Sequence, residues 1–150
     1  MKERAVLVKT EKEMLALGRS VASHTTRGAF FALYGELGSG KSVFARGFAS
    51  YLDISSLVSP TFTIVSEYPT EPKLFHFDAY RLSDEEELYA IGYSDYRNAN
   101  GIILMEWANL VTGCLPERRM DVYLHGSGTM PRTVAFVAHG EEYESILEQL

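Results

Sequence analysis

Apolar and polar positions alternate along the chain in blocks that predict strands and helices in turn. The continuous apolar run Ala29–Tyr34 predicts a strand that is buried on both faces. The next block, Val43–Leu52, places Phe44 and Phe48 at helical spacing and predicts a helix. Shorter apolar or alternating runs predict six further strands at Ala5–Val8, Thr61–Tyr68, Leu74–Asp78, Ile102–Glu106, Met120–His125 and Thr133–His139.

Other helices are indicated by caps and apolar stripes. Thr10 can cap a helix whose apolar stripe runs from Met14 to Val21. Ser83 and Glu86 have capping-box spacing at the start of an acidic run, and Ile146 and Leu147 belong to a closing helix. Gly126-Ser127-Gly128 separates the last two strands and favours an antiparallel meander. The pattern predicts a three-layer α/β domain with a largely parallel central sheet and an antiparallel C-terminal meander.

Composition places this sheet in one soluble domain spanning residues 1–150. The chain has 46% apolar residues and no run approaching the roughly 18 apolar residues of a membrane span. Cys114 is the single cysteine, so no internal disulfide forms and a cytoplasmic location is expected. The net charge of −6 argues against direct nucleic-acid binding, which needs clustered Lys and Arg.

The strand Ala29–Tyr34 and the helix after it flank the sequence GELGSGKS, residues 35–42. This sequence fits the phosphate-binding pattern Gly-x-x-x-x-Gly-Lys-Ser/Thr, in which glycine backbone N–H groups surround phosphates at a helix N-terminus. Lys41 would reach the β- and γ-phosphates, and the Ser42 hydroxyl would bind Mg²⁺. The sequence therefore predicts a P-loop NTPase fold, with nucleotide contacts at Gly38, Ser39, Gly40, Lys41, Ser42 and Val43.

Two predicted strands end in an acid, which matters for the metal. Ile102–Glu106 is four apolar residues followed by a carboxylate, the form of a Walker B strand, and Leu74–Asp78 is a second candidate. Ligands of open α/β sheets bind beyond these strand ends. Either acid alone could be a solvated strand end, but two such acids favour a Mg²⁺ site.

The segment between the loop helix and Asp78 corresponds in position to the first switch of other loop-type triphosphatases. A threonine there can contact Mg²⁺ or the γ-phosphate, and Thr61, which follows Pro60, is a better candidate than Thr63. The sequence contains no Asn-Lys-x-Asp guanine-reading motif, which favours ATP over GTP.

Together these motifs resemble the TsaE (YjeE) family of bacterial ATPases. The resemblance rests on Gly35–Ser42, on Ser59–Thr63, on His76–Leu82 and on Glu106-Trp107, in that order and spacing, and it also takes in Glu86–Leu88 and Ile91-Gly92. Ser42 and Phe62 depart conservatively from the residues usual in the family, Thr and Tyr.

The resemblance implies an Mg²⁺-dependent ATPase that supports a TsaB–TsaD complex. In that family TsaD transfers threonylcarbamoyl to adenosine 37 of tRNAs reading codons that begin with A, so tRNA is an indirect partner. The resemblance also implies catalytic roles for Lys41, Thr61 and Asp78, of which Asp78 would help position either the metal or the attacking water. It implies metal binding by Ser42 and Glu106, an adenine contact by Trp107, and contacts on the base and ribose side by Glu11 and Arg132. Trp107 could instead be a core aromatic.

Two other functions remain open. A small-molecule kinase would share the loop and the acids, but it should carry an acceptor pocket and an Arg-rich lid, neither of which is evident. A nucleotide-gated binding module would keep Lys41 and Ser42 without physiological hydrolysis.

Overall fold

The computed structural model describes residues 2–58 and 64–150 as a seven-stranded sheet with helices on both faces. The strands are β1 (Lys2–Val8), β2 (Phe30–Tyr34), β3 (Val65–Tyr68), β4 (Leu74–Asp78), β5 (Ile102–Glu106), β6 (Arg119–His125) and β7 (Arg132–His139). The helices are α1 (Glu11–Ser23), α2 (Lys41–Tyr51), α3 (Glu85–Ala90), α4 (Tyr93–Asn98) and α5 (Glu141–Glu148), with 3-10 turns at Ala108–Leu110 and Thr112–Cys114.

The sheet is mixed, with the order β1-β7-β6-β2-β5-β4-β3. The four central strands, β6, β2, β5 and β4, are parallel to one another. On one side β3 pairs antiparallel with β4, and on the other β7 pairs antiparallel with β6. The edge strand β1 pairs antiparallel with β7 and so runs in the same direction as the central strands. The prediction of an α/β sheet with an antiparallel C-terminal pair is confirmed, although the parallel part is confined to the centre.

Two apolar clusters lie on opposite faces of this sheet. One joins β2, β6 and β7 to α1, α2 and α5, and its fully buried aromatic residues are Phe31, Phe44, Phe48 and Phe136. The other joins β4 and β5 to α3 and α4 through Phe77, Leu88 and Tyr93. The continuous apolar runs of β2 and β5 follow from burial on both faces.

Helices α1 and α2 touch backbone to backbone. A Cβ added to Gly18 would lie 2.2 Å from the Phe44 carbonyl oxygen, and one added to Gly47 would lie 2.2 Å from that of Leu15. Both distances are shorter than any van der Waals contact, so only glycine permits this approach. Helix α1 starts at its predicted cap, since the Thr10 hydroxyl accepts from the Glu13 N–H at 3.1 Å.

Several elements differ from the sequence predictions in their bounds, in their caps or in having been missed. Strand β1 begins at Lys2 rather than Ala5, because its ladder with β7 continues through polar residues at the exposed edge of the sheet. The predicted Ser83 cap is wrong: Asp84 accepts from the Glu87 N–H and Glu87 accepts from the Ser83 N–H, so the capping box lies one residue later. Helix α4 was not predicted. Residues 61–63 of the predicted strand Thr61–Tyr68 lie outside the described residues.

Candidate functional site

The loop between β2 and α2, residues 35–40, joins a buried strand to a helix through a glycine turn, as its motif predicts. It is called the phosphate loop below, after that motif. Gly40 precedes the helix with φ 104°, a left-handed conformation that disfavours any residue with a side chain. The chain then enters α2 directly at Lys41, two residues before the predicted start. The first N–H groups of a helix lack intrahelical acceptors, so this end of α2 is a potential anion-binding site.

Lys41 is the first residue of α2; its side chain reaches back to this loop, and the residue is 6% exposed. Its Nζ donates to the Gly35 carbonyl oxygen and, at 3.1 Å, to that of Glu36, and it lies 4.3 Å from the centre of the Trp107 ring. Burial lowers the pKa of Lys41, while the negative charges of Glu106 and Asp78 oppose that shift. The ammonium group is therefore held by neutral backbone oxygens, which phosphate oxygens could replace.

The two candidate acids lie side by side at the carboxyl ends of β4 and β5. Asp78 is directly opposite Glu106 in the parallel register. Glu106 is 4% exposed, and its Oε2 lies 2.5 Å from Nε2 of His76. Asp78 is only partly buried and accepts from the Tyr80 N–H at 3.0 Å. The acids thus differ: one is buried and bonded to a histidine, and the other is partly open to solvent.

A cavity of about 730 Å³ brings most of the predicted site residues together. From the phosphate loop and α2 it is lined by Gly38, Gly40, Lys41, Ser42 and Val43. From other elements it is lined by Glu11, Asp78, Glu106, Trp107 and Arg132. Residues from five separate segments of the chain therefore meet at the edge of the sheet where the parallel strands end.

Two residues predicted to contact the nucleotide, Ser39 and Arg132, make other interactions in the structure. Ser39 does not line the cavity; it is 1% exposed, and its Oγ has no hydrogen-bond partner among the described residues. Arg132 lines the cavity but donates to the carbonyl oxygens of Ser39, Gly38 and Gly128 at 3.0–3.2 Å. Arg132 thereby holds the β6–β7 turn against the phosphate loop.

Trp107 is partly exposed; it packs against the apolar cluster that joins β4 and β5 to α3 and α4 but is not one of the buried residues of that cluster. Its backbone is left-handed, with φ 59°, and the centre of the Tyr80 ring lies 4.9 Å from the centre of the Trp107 ring. The ring covers Lys41 and lines the cavity. Thr61, the remaining predicted site residue, lies outside the described residues.

The donor set suits a hard divalent cation. The Ser42 hydroxyl and the carboxylates of Asp78 and Glu106 line one cavity, and all three offer oxygen. Mg²⁺ binds through one or two carboxylates together with water and substrate phosphates. In residues 2–58 and 64–150, no cluster of three or more His, Cys, Asp or Glu could hold a metal without such help.

Sequence reasoning missed His76 as a partner of Glu106. An ionisable residue inside the apolar strand Leu74–Asp78 was the available signal, but the diagonal contact to Glu106 depends on strand register. Sequence reasoning also missed Thr129 and Met130, which line the cavity from the β6–β7 turn.

None of the described helices is long and apolar enough to cross a bilayer.

Comparison with known proteins gives a consistent family assignment. Residues 8–134 match the family model described as threonylcarbamoyl adenosine biosynthesis protein TsaE. Two similar relatives are named tRNA threonylcarbamoyladenosine biosynthesis protein TsaE. The one from Bacillus subtilis is 38% identical over 93% of this chain and 88% of its own length, and the one from Haemophilus influenzae is 40% identical over 71% and 72%.

A solved structure shows the same fold. The crystal structure of YdiB from Bacillus subtilis aligns with a TM-score of 0.84 at 32% identity, over 98% of this chain and 93% of that one. The match to the TsaE family model, over residues 8–134, includes the phosphate loop, both strands that end in an acid, and Trp107. The chain therefore belongs to the TsaE family.

Proposed function

We propose that this protein is an Mg²⁺-dependent ATPase of the cytoplasm that supports a TsaB–TsaD complex. That complex would transfer threonylcarbamoyl to adenosine 37 of tRNAs reading codons that begin with A. The names of the relatives support a role in the biosynthesis of threonylcarbamoyladenosine in tRNA. The observation that carries the ATPase assignment is the meeting of Lys41, Ser42, Asp78 and Glu106 in one cavity beside the phosphate loop.

Each residue takes a role that its position supports. Lys41 exchanges its carbonyl acceptors for β- and γ-phosphate oxygens, which carry the charge that neutral carbonyls lack. Ser42 and Glu106 hold Mg²⁺, which when bound would neutralise charge on the phosphates. Asp78, the more open acid, orients the attacking water. The ring of Trp107 contacts adenine along the cavity wall, and Glu11 and Arg132 lie on the base and ribose side.

The small size and charge of the chain favour action through partners. The net charge of −6 disfavours tRNA binding by the isolated protein, because phosphate contacts need basic side chains. A segment containing Thr61 that responds to triphosphate would give partners different affinities for the ATP and ADP states, which coupling requires. Hydrolysis by the protein alone is accordingly slow and rises with the partners.

Nucleotide titration tests the site first. Trp107 is the single tryptophan, so its fluorescence reports on the cavity, and ATP or ADP with Mg²⁺ should change it to saturation. A spectrum that stays constant at saturating nucleotide, with binding confirmed by calorimetry, would remove the ring from the adenine site.

Phosphate release tests the function. We expect slow release by the protein alone and faster release with TsaB and TsaD. We also expect partner binding to be stronger with ATP than with ADP, and no tRNA retention in filter binding. Partner binding that depends on nucleotide while release stays at background would instead identify a nucleotide-gated module.

A further inference from the structure

A buried histidine lies behind the proposed cation site, and the roles above leave it unused. The side chain of His76 on β4 is 1% exposed, and that of Glu106, to which it bonds, is 5% exposed. The bond joins neighbouring parallel strands diagonally, because His76 is level with Leu104 while Glu106 is level with Asp78. An ionised carboxylate only accepts hydrogen bonds, so the ring donates from Nε2.

Packing alone does not account for a histidine here. Leu74 and Leu104, its neighbours on the same face of the sheet, are completely buried. The second ring nitrogen, Nδ1, is also buried, and within the described residues it has no hydrogen-bond partner. A buried polar atom without a partner is destabilising, and an apolar side chain would fill this space without that cost. What histidine supplies, and leucine cannot, is the donor to Glu106.

The bond restrains the carboxylate that faces the cavity. A glutamate side chain has several rotatable bonds, and fixing Oε2 selects one orientation and leaves Oε1 for another ligand. Hydrogen-bonded neighbours of metal-binding residues commonly have this effect, and losing one lowers metal affinity about 10–100-fold.

We propose that His76 is a positioning residue that orients Glu106 toward the divalent cation accompanying the nucleotide. This inference rests on the proposed function, since it presupposes a cation bound with nucleotide at Ser42 and Glu106. His76 itself touches neither the cation nor the nucleotide; it acts through Glu106.

The test measures cation binding rather than turnover. A methylanthraniloyl derivative of ATP is bound to the wild type and to His76→Leu and His76→Gln, first in EDTA and then over a Mg²⁺ titration. Glutamine keeps an N–H donor, whereas leucine removes it. His139→Gln is the matched control, because His139 also bonds a buried carboxylate, that of Asp121, outside the cavity.

We expect His76→Leu to raise the Mg²⁺ concentration for half-maximal binding about 10–100-fold and His76→Gln to raise it less. Affinity in EDTA should be unchanged in both, and His139→Gln should match the wild type. Thermal unfolding of each variant checks that it is folded, and if the leucine variant does not fold, the glutamine variant decides. An unchanged Mg²⁺ requirement in folded His76 variants overturns the inference. A wild type that binds nucleotide without any Mg²⁺ effect contradicts the proposed function instead.

A double-mutant cycle tests whether His76 acts through Glu106. In a Glu106→Gln background, His76→Leu should change the Mg²⁺ requirement little, because the orientation it controls no longer matters. Effects of the two substitutions that simply multiply would show that His76 acts independently of Glu106 and would overturn the inference.

Discussion

Two buried carboxylates, each bonded to a histidine, lie in this sheet in different settings. Asp121 on β6 accepts from the Tyr34 hydroxyl, from Arg119 Nε and from His139, at 3.0, 2.8 and 2.7 Å. Among the described residues, Glu106 on β5 has His76 as its hydrogen-bond partner, and it opens onto the cavity beside Lys41. A carboxylate surrounded by donors is fully used in holding strands together, whereas one with a free oxygen can bind a ligand. The number of hydrogen-bond partners, rather than burial, thus distinguishes Asp121, the structural acid, from Glu106, the acid proposed to bind the cation.

The largest expected effect is on stability, at the structural acid. Asp121→Ala leaves Arg119, whose side chain is 22% exposed, and the Tyr34 hydroxyl without their acceptor. We expect a loss of about 3–5 kcal/mol in the free energy of unfolding. Urea unfolding followed by circular dichroism measures it. Glu106→Gln, the comparison variant, should lose less than about 1.5 kcal/mol. Equal losses in the two variants would contradict the distinction.

Lys41→Ala should weaken ATP binding by about 1.5–3 kcal/mol, because it removes a charge-assisted contact to phosphate. Isothermal titration calorimetry measures the change. Lys73→Ala removes the same charge from an exposed pair with Glu67 and should bind ATP like the wild type. Unchanged ATP affinity in Lys41→Ala would refute the loop assignment.

The acids on β4 and β5 should separate binding from hydrolysis. Glu106→Gln should lower Mg²⁺-dependent nucleotide affinity at least as much as His76→Leu, by about 10–100-fold or more, since it weakens the proposed metal ligand itself. Asp78→Asn should leave affinity nearly unchanged and reduce phosphate release at least about tenfold, because it acts on water. Binding titrations and single-turnover hydrolysis distinguish the two. Equal loss of binding in both variants would show that they share one role.

The smallest effect concerns Glu142, a carboxylate that is only partly buried, and it extends the comparison to the protein surface. Hydrogen bonding to Arg118 lowers the pKa of Glu142 below its ordinary value of 4.5. The ionised form is therefore favoured in the folded state, so the stabilisation is present above pH 4.5 and is lost as pH falls through the lowered pKa. Arg118→Ala should be slightly less stable than the wild type at neutral pH and equal to it in acid. Lys12→Ala, on an exposed helix face, should show no such convergence in urea unfolding at a series of pH values.

Sequence analysis recovered the elements that local physics determines. Leu74–Asp78 and Ile102–Glu106 have their predicted bounds, because short runs of mostly apolar residues that end in an acid specify buried central strands; only His76 interrupts the run in β4. The turn between β2 and α2 was predictable from the motif at residues 35–42. The polar start of β1 depends on pairing with β7, and the His76–Glu106 bond depends on the register of β4 against β5. Such contacts join segments that are distant in sequence, so no local pattern predicts them.

The close backbone approaches at Gly18, against Phe44, and at Gly47, against Leu15, hold two walls of the cavity together as one unit. Helix α1 begins beside Glu11 and α2 begins at Lys41, and the two backbones touch too closely to slide or rotate independently. A movement at the phosphate loop would therefore carry the Thr10-Glu11 turn with it. The entrance of the cavity would therefore widen by movement of Trp107 and of the β6–β7 turn. Arg132 connects that turn to the phosphate loop by separate hydrogen bonds, which can break one at a time. Entry of the proposed nucleotide would then require side-chain motion rather than a rearrangement of the helices.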